Sequence, residues 1–221
     1  MRTPIDLRRA DMRARIATIA WLLIAPAILA IAACSSESGA GMPTYKHNTK
    51  PSRVFALAVR IDNAPGPFAS LHGTMQYDIA NSACLPPADF FSGVQTTPIS
   101  TFLPISLKRT GEGRYEGEIA LDGLVDDDYF GRGVCRFKAV GPSVSLRATG
   151  AAGETRFVVR LDAEAVEAEA TKTKYYWRGG YPRDPRVEDF PDHGLDSPDD
   201  FLEPLRDELF SVTIQSSKVN P

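Results

Sequence analysis

The chain has 221 residues, of which 25 are Lys or Arg and 28 are Asp or Glu, and its formal net charge at pH 7 is −3. This balance argues against nucleic acid as a partner, because phosphate binding needs concentrated positive charge. The sequence contains neither the GxSxG motif of serine hydrolases nor the HExxH motif of zinc proteases, and it lacks Rossmann and P-loop glycine patterns. The sequence therefore does not indicate a serine hydrolase of the α/β type or a zinc protease.

Residues 1–33 have the layout of a signal peptide. Five arginines precede an apolar segment from Ile16 to Ala33. The order Ile31-Ala32-Ala33-Cys34 resembles the lipobox of bacterial lipoproteins, in which the leader is removed and the cysteine carries diacylglycerol and an amide-linked fatty acid such as palmitate. The resemblance implies a lipid anchor at Cys34. Because Ser35 follows rather than aspartate, it also implies the outer membrane, with the domain facing the periplasm.

An uncleaved transmembrane helix is the alternative for residues 16–33, since the segment is about as long as a bilayer core requires. Pro26 interrupts the segment and alanines crowd its end, which favours cleavage. The chain after cleavage has a formal charge of −6. Residues 34–51 are small and polar and predict a flexible tether. Residues 52–221 are then predicted to form a single domain.

Beyond the tether, apolar and polar side chains alternate with the period of half-buried β-strands. Residues 163–170 suit either helix or strand, and we predict that they continue a strand. Many short strands with Gly and Pro between them predict an all-β fold, an antiparallel β-sandwich. The predicted strands cover residues 55–61, 71–79, 105–110, 115–121, 135–139, 144–146, 157–161 and 210–214, with turns at 63–67, 110–113, 141–142 and 150–153.

The cysteines support an oxidising compartment. If Cys34 is acylated, Cys84 and Cys135 remain, 51 residues apart, and they can pair in the periplasm. The sequence has no CxxC, and no histidine lies near either cysteine, which argues against a metal site or a nucleophile. We predict a Cys84–Cys135 disulfide, with two buried free thiols as the alternative.

Residues 184–208 differ in composition, with ten acidic residues against two arginines. Ser197-Pro198-Asp199-Asp200 has the pattern of a helix start, with a capping serine and acids near the positive end of the dipole. Pro204 limits the length of such a helix. We therefore predict a short helical or irregular acidic insertion before the last strand.

The sequence gives no firm catalytic or metal site. Asp122 with residues 126–128, and Asp196 with residues 199–200, have the oxygen ligands that calcium uses but not EF-hand spacing, so calcium stays open and no metal or cofactor is predicted. His47, His72 and His193 are interpreted as solvated side chains. Two carboxylates in a cleft, as in glycosidases, are an alternative that spacing does not test.

An aromatic segment precedes the acidic insertion. Adjacent aromatic residues on a strand face both sides of a sheet, so at least one of them leaves the core. Tyr, Trp and Arg are the residue types enriched at binding hot spots. The alternative to partner binding is that these aromatic residues pack at the edge of the sheet against the last strand. The predicted partner-binding residues are Tyr175, Tyr176, Trp177, Arg178 and Tyr181.

Residues 126–137 (DDDYFGRGVCRF) and 176–182 (YWRGGYP) resemble uncharacterised lipoproteins of Gram-negative bacteria. Some of these look like immunity proteins that protect a cell from antibacterial effectors. The resemblance implies a lipid-anchored β domain that is not an enzyme and binds another protein, with a basic effector as the suggested partner. A structural or assembly lipoprotein of the envelope and a carboxylate-dependent envelope hydrolase are the alternatives.

Overall fold

A computed structural model of the chain describes residues 43–88 and 90–219. The predicted leader and Cys34 lie outside these residues. In the described part, ten β-strands form two five-stranded sheets that pack together around one main hydrophobic core. The predicted all-β sandwich is therefore confirmed.

Five strands form sheet one, and in spatial order they are β4 (Lys108–Gly111), β5 (Arg114–Ala120), β1 (Val54–Asp62), β10 (Leu209–Lys218) and β8 (Thr171–Trp177). Sheet two contains, in order, β3 (Ser100–Ile105), β2 (Ser70–Ile79), β6 (Phe137–Arg147), β7 (Arg156–Arg160) and β9 (Pro191–Asp192). The pairings are antiparallel except that of β7 with β9, which is parallel.

The core lies between the sheets and follows the alternation of the sequence. Leu57 and Val59 of β1 are buried, whereas Ala58 between them is exposed. Phe157 of sheet two contacts Tyr176 and Phe210 of sheet one, with ring centroids 5.5 and 5.0 Å apart. Such aromatic pairs add about 0.5–1.5 kcal/mol beyond the burial of their area. They link the two sheets.

The turn predicted at Gly141 and Pro142 is wrong. β6 continues through both residues and stays paired with β2, with a register shift between Gln76 and Tyr77. The φ of Gly141 is +142°, and its Cα lies so close to the backbone carbonyl of Leu161 that a side chain would collide with it. Glycine here allows a β-bulge rather than a turn.

The strand predicted for residues 163–170 is also wrong. Helix α1 (Ala163–Glu167) occupies most of this segment. The Asp162 side chain caps it by accepting a hydrogen bond from the Ala165 N–H at 2.7 Å. The helical preference of Ala and Glu, together with this cap, outweighs the alternation. Val166 is fully buried, so the helix covers an end of the core.

The predicted hairpin at residues 110–113 is present as β4 and β5. The strand predicted from residue 105 to residue 110 is, however, divided between the sheets. Ile105 ends β3 in sheet two, and Lys108 begins β4 in sheet one. Residues 106–107 therefore carry the chain from one sheet to the other.

Residues 43–51 are not a flexible tether, which corrects the predicted boundary of the domain. The compact unit begins at Pro43. Asn48 donates through Nδ2 to the Asp122 carbonyl at 2.8 Å, and the Val125 N–H donates to the Lys46 carbonyl at 2.9 Å. Tyr45 packs against the core. These contacts are long-range, so the composition of the segment does not reveal them.

Candidate functional site

The N-terminal segment lies at one end of the sandwich. The Tyr45 ring meets the rings of Tyr129 and Phe137 at 5.0 and 5.1 Å, beside the start of β6. We call this the N-terminal end. β1 and β6 both run from it to the opposite end, where Tyr181 donates to the Pro67 carbonyl at 2.6 Å. The segment that follows β8 therefore lies at the opposite end.

Tyr176, one of the predicted partner-binding residues, belongs to the core. Its side chain is 0% exposed, and its hydroxyl donates to the Val158 carbonyl at 2.9 Å. The ring stacks on Phe210 with centroids 5.1 Å apart. Burial raises the pKa of the Tyr176 hydroxyl. The side chain serves packing between the sheets and is out of reach of a partner.

Tyr175 and Trp177 occupy the other face of β8 and are both partly exposed. Trp177 donates from Nε1 to Glu208 Oε2 at 3.2 Å. Its indole lies directly against Gly179, where any Cβ would collide with the ring. Gly179 and Glu208 together hold the indole in place on the outer face of sheet one.

Arg178 and Tyr181 connect β8 to the loop between β1 and β2. Arg178 is exposed and donates from Nη1 to the Asn63 carbonyl at 3.1 Å. Tyr181 is partly exposed, and its ring packs edge-on against Phe68 at 5.3 Å. Four of the five predicted residues thus keep some exposure, but the contacts of Tyr181 are mainly structural.

The acidic insertion lies beside Tyr175 and Trp177. Leu195 exchanges two backbone hydrogen bonds of 2.9 Å with Tyr175, and Lys174 pairs with Asp196 at 2.9 Å. Ser197 caps a short 3-10 helix (Pro198–Asp200) with a capping box, as its sequence predicts. The irregular insertion is therefore fastened along the free edge of β8, and it brings its charge next to the aromatic side chains.

Part of that charge is neutralised within the insertion. Arg186 donates from Nε and Nη2 to the buried Asp184 carboxylate at 3.0 and 2.8 Å, and this interaction lowers the pKa of Asp184 to about 2. Burial raises the pKa of Asp192 above its ordinary value. The acidic residues whose carboxylates remain exposed and without a described salt bridge are Glu188, Asp200, Glu203, Asp207 and Glu208.

The carboxylates of Asp122 and residues 126–128 hold neighbouring loop segments in place. Asp122 accepts the Ser52 N–H and hydroxyl at 2.8 Å, and Asp128 accepts the Arg132 N–H at 3.0 Å. Asp127 pairs with Lys46, whose hydrogen bond lowers the pKa of Asp127. Among the described residues, no three His, Cys, Asp or Glu side chains converge as a metal site would require.

The predicted disulfide is present. Cys84 and Cys135 are bonded, with Cα atoms 5.2 Å apart and with both side chains buried. With Ile79 and Leu85 they form a second hydrophobic cluster at the N-terminal end, against which Tyr45 packs. The bond joins the root of the loop after β2 to the chain just before β6.

A groove of about 580 Å³ lies on the outer face of sheet one, lined by small β1 residues and by Lys108, Glu116 and Glu118. A larger groove of about 760 Å³ lies at the opposite end, between the β1–β2 loop and the β4–β5 hairpin. Its lining includes Asn63, whose carbonyl Arg178 contacts. This larger groove therefore adjoins the residues predicted to bind a partner.

Phe90 and Phe91 form an exposed surface that the residue patterns did not predict. Phe90 and Phe91, in the loop between β2 and β3, are 92% and 95% exposed. The signal was present in the sequence, because two adjacent phenylalanines stand between Pro86-Pro87 and Gly93, where no strand pattern accounts for them.

Across residues 43–88 and 90–219, no helix has the length and apolar character to cross a membrane. The fold and the contacts above define an all-β sandwich domain with one disulfide. No protein-family model, curated protein sequence or solved structure matches the chain.

Proposed function

We propose that the chain is a lipid-anchored lipoprotein of the outer membrane whose sandwich binds a partner protein in the periplasm, as an immunity protein binds an antibacterial effector. The basic leader and the lipobox ending at Cys34 support the anchor. The disulfide fits an oxidising compartment. The proposed role is binding, and no catalytic residue or cofactor belongs to it.

One observation carries the partner-binding proposal: Trp177 is partly exposed, held in place, and adjacent to the acidic insertion through Glu208. A fixed aromatic side chain loses little conformational freedom on binding, which is why Trp is frequent at hot spots. Exposed acidic residues steer a basic partner and raise its rate of association. The proposed surface consists of Tyr175, Trp177, Arg178 and the exposed acids of the insertion.

The position of the N-terminal segment supports this arrangement. Cys34 lies nine residues before Pro43, so a lipid on Cys34 would hold the N-terminal end near the membrane. Arg178 and the 760 Å³ groove lie at the opposite end. The proposed surface would then face the periplasm, where a secreted effector arrives.

The anchor is tested by Cys34→Ala. We expect this variant to lose incorporation of labelled fatty acid and to leave the membrane fraction, because the acylated sulfur is removed. Ser35→Ala, next to the site, should be labelled as the wild type is. Unchanged labelling of Cys34→Ala would contradict the anchor without bearing on the binding surface.

The binding surface is tested by protection of cells. Deleting the gene should sensitise the cell to antibacterial secretion by its neighbours. Trp177→Ala should weaken binding of the effector by about 30-fold and so weaken protection. A loss of affinity of about 30-fold corresponds to about 2 kcal/mol at a hot spot. Phe102→Ala is the matched control, because Phe102 is 56% exposed on sheet two. Thermal unfolding should show that both variants are folded.

Full protection by a variant that combines Trp177→Ala with neutralised Glu203, Asp207 and Glu208 would contradict this surface. Loss of protection in the Phe102→Ala control would move the binding site to sheet two.

A further inference from the structure

The loop between β2 and β3 exposes an apolar tip, which we define as Phe90, Phe91 and Val94. Their exposed fractions are 92%, 95% and 58%. The two rings contact each other edge to face, with centroids 5.5 Å apart. Gln95 donates from Nε2 to the Pro86 carbonyl at 3.2 Å and closes the base of the loop. The tip therefore projects from a closed base.

The tip arises next to the N-terminal segment. Cys84 and Leu85, at the root of the loop, share a hydrophobic cluster with Tyr45. Phe90 follows Leu85 by five residues, so its Cα atom lies within about 18 Å of the Cα atom of Leu85, since a chain spans at most about 3.6 Å per residue. The nine residues from Cys34 to Pro43 span at most about 32 Å by the same measure.

The surroundings of the tip suit a membrane interface. Residues 85–100 contain a single charged residue, Asp89. Asn81 fixes a second loop, residues 121–136 between β5 and β6, beside the root of the first. Its Nδ2 donates to the Val134 carbonyl at 2.9 Å, and its Oδ1 accepts the Arg136 N–H at 2.7 Å. Val134 is 51% exposed, and Arg132 and Arg136 are exposed beside it. Apolar side chains flanked by arginine are typical of surfaces that meet anionic headgroups.

The acids of this second loop do not oppose that contact strongly. Asp127 pairs with Lys46, and Asp128 accepts backbone N–H groups of Phe130 and Arg132 at 3.3 and 3.0 Å. Asp126 accepts the Phe137 N–H at 2.9 Å. Each of these carboxylates thus already has a partner, either Lys46 or a backbone N–H group.

We propose that the apolar tip inserts into the phospholipid interface beside the lipid anchor, as a second membrane contact that orients the domain. This inference rests on the anchor of the proposed function, which brings the N-terminal end to the bilayer. Aromatic side chains favour the interfacial region, and two membrane contacts fix an orientation that one tether leaves free. With the tip inserted, Trp177 and Arg178 face away from the membrane.

The test uses fluorescence of the processed, acylated protein in vesicles of phosphatidylethanolamine and phosphatidylglycerol with brominated acyl chains. Trp21 belongs to the leader, so the processed chain has Trp177 as its only tryptophan. We expect the W177F/F91W probe to shift to the blue and to lose most of its emission to the bromines. Wild-type Trp177 and the matched probe W177F/V187W, in the acidic insertion, should lose none.

Flotation of the vesicles separates the outcomes. An unquenched W177F/F91W probe in protein that floats would overturn the membrane contact of the tip and leave the anchor in place. Wild-type protein that neither floats nor carries fatty acid would overturn both. A blue shift of F91W in cell envelopes but not in protein-free vesicles would assign the tip to a protein partner and overturn the proposal.

Discussion

Removing the Cys84–Cys135 disulfide is expected to lower the free energy of unfolding by about 4 kcal/mol, because the bond closes a 51-residue loop and so restricts the unfolded chain. The bond is buried among Ile79 and Leu85 and connects the root of the β2–β3 loop to the start of β6. Without the bond, the β2–β3 loop should lose its covalent attachment to the start of β6.

The measurement is urea unfolding of the wild type and of the Cys84→Ala/Cys135→Ala variant. Alanine leaves no thiol to react and keeps the cluster apolar. Wild-type protein with its disulfide reduced should unfold near the urea midpoint of the variant. Equal midpoints for the oxidised wild type and the variant would contradict the stabilising role of the bond.

The second large effect is expected for Tyr176→Ala, which should cost about 3–5 kcal/mol, as truncation of a buried aromatic ring does. The ring lies between Phe157 and Phe210, and its removal leaves a cavity where the two sheets meet. Tyr176→Phe should cost only about 1 kcal/mol, since it keeps the ring and loses the hydrogen bond to Val158.

Tyr175→Ala is the matched control on the adjacent position, because Tyr175 points to the outer face of β8. Thermal or urea unfolding should rank Tyr176→Ala far below Tyr175→Ala in stability. The reverse order would mean that β8 presents its other face to the core.

Most strands of the sandwich were predictable because their signal is local. The alternation in β1 and β2 places one face in the core whatever the partner strand is. Two of the errors have different origins. The bulge at Gly141 depends on the approach of Leu161, which no local pattern contains. The helix at residues 163–167 does have a local signal, the Asp162 cap, but burial of Val166 in the core depends on distant contacts.

The candidate surface likewise has one feature that the local sequence predicts and one that depends on distant contacts. Alternation on β8 predicts that Tyr175 and Trp177 share one face and that Tyr176 takes the other, but it does not say which face is buried. The pairing of β8 with β10 and the stacking of Tyr176 on Phe210 decide that. The exposure of Phe90 and Phe91 was missed because an apolar loop residue is buried or exposed according to what lies over it.

By itself the sequence determined the all-β class, because strand periodicity is local, and it indicated the Cys84–Cys135 pair, because only these two cysteines remain if Cys34 is acylated. Only the tertiary structure decided that residues 43–51 pack on the domain, that the acidic insertion lies along β8, and that Tyr176 is in the core. These features depend on which distant segments meet, since burial and charge pairing are properties of the assembled chain.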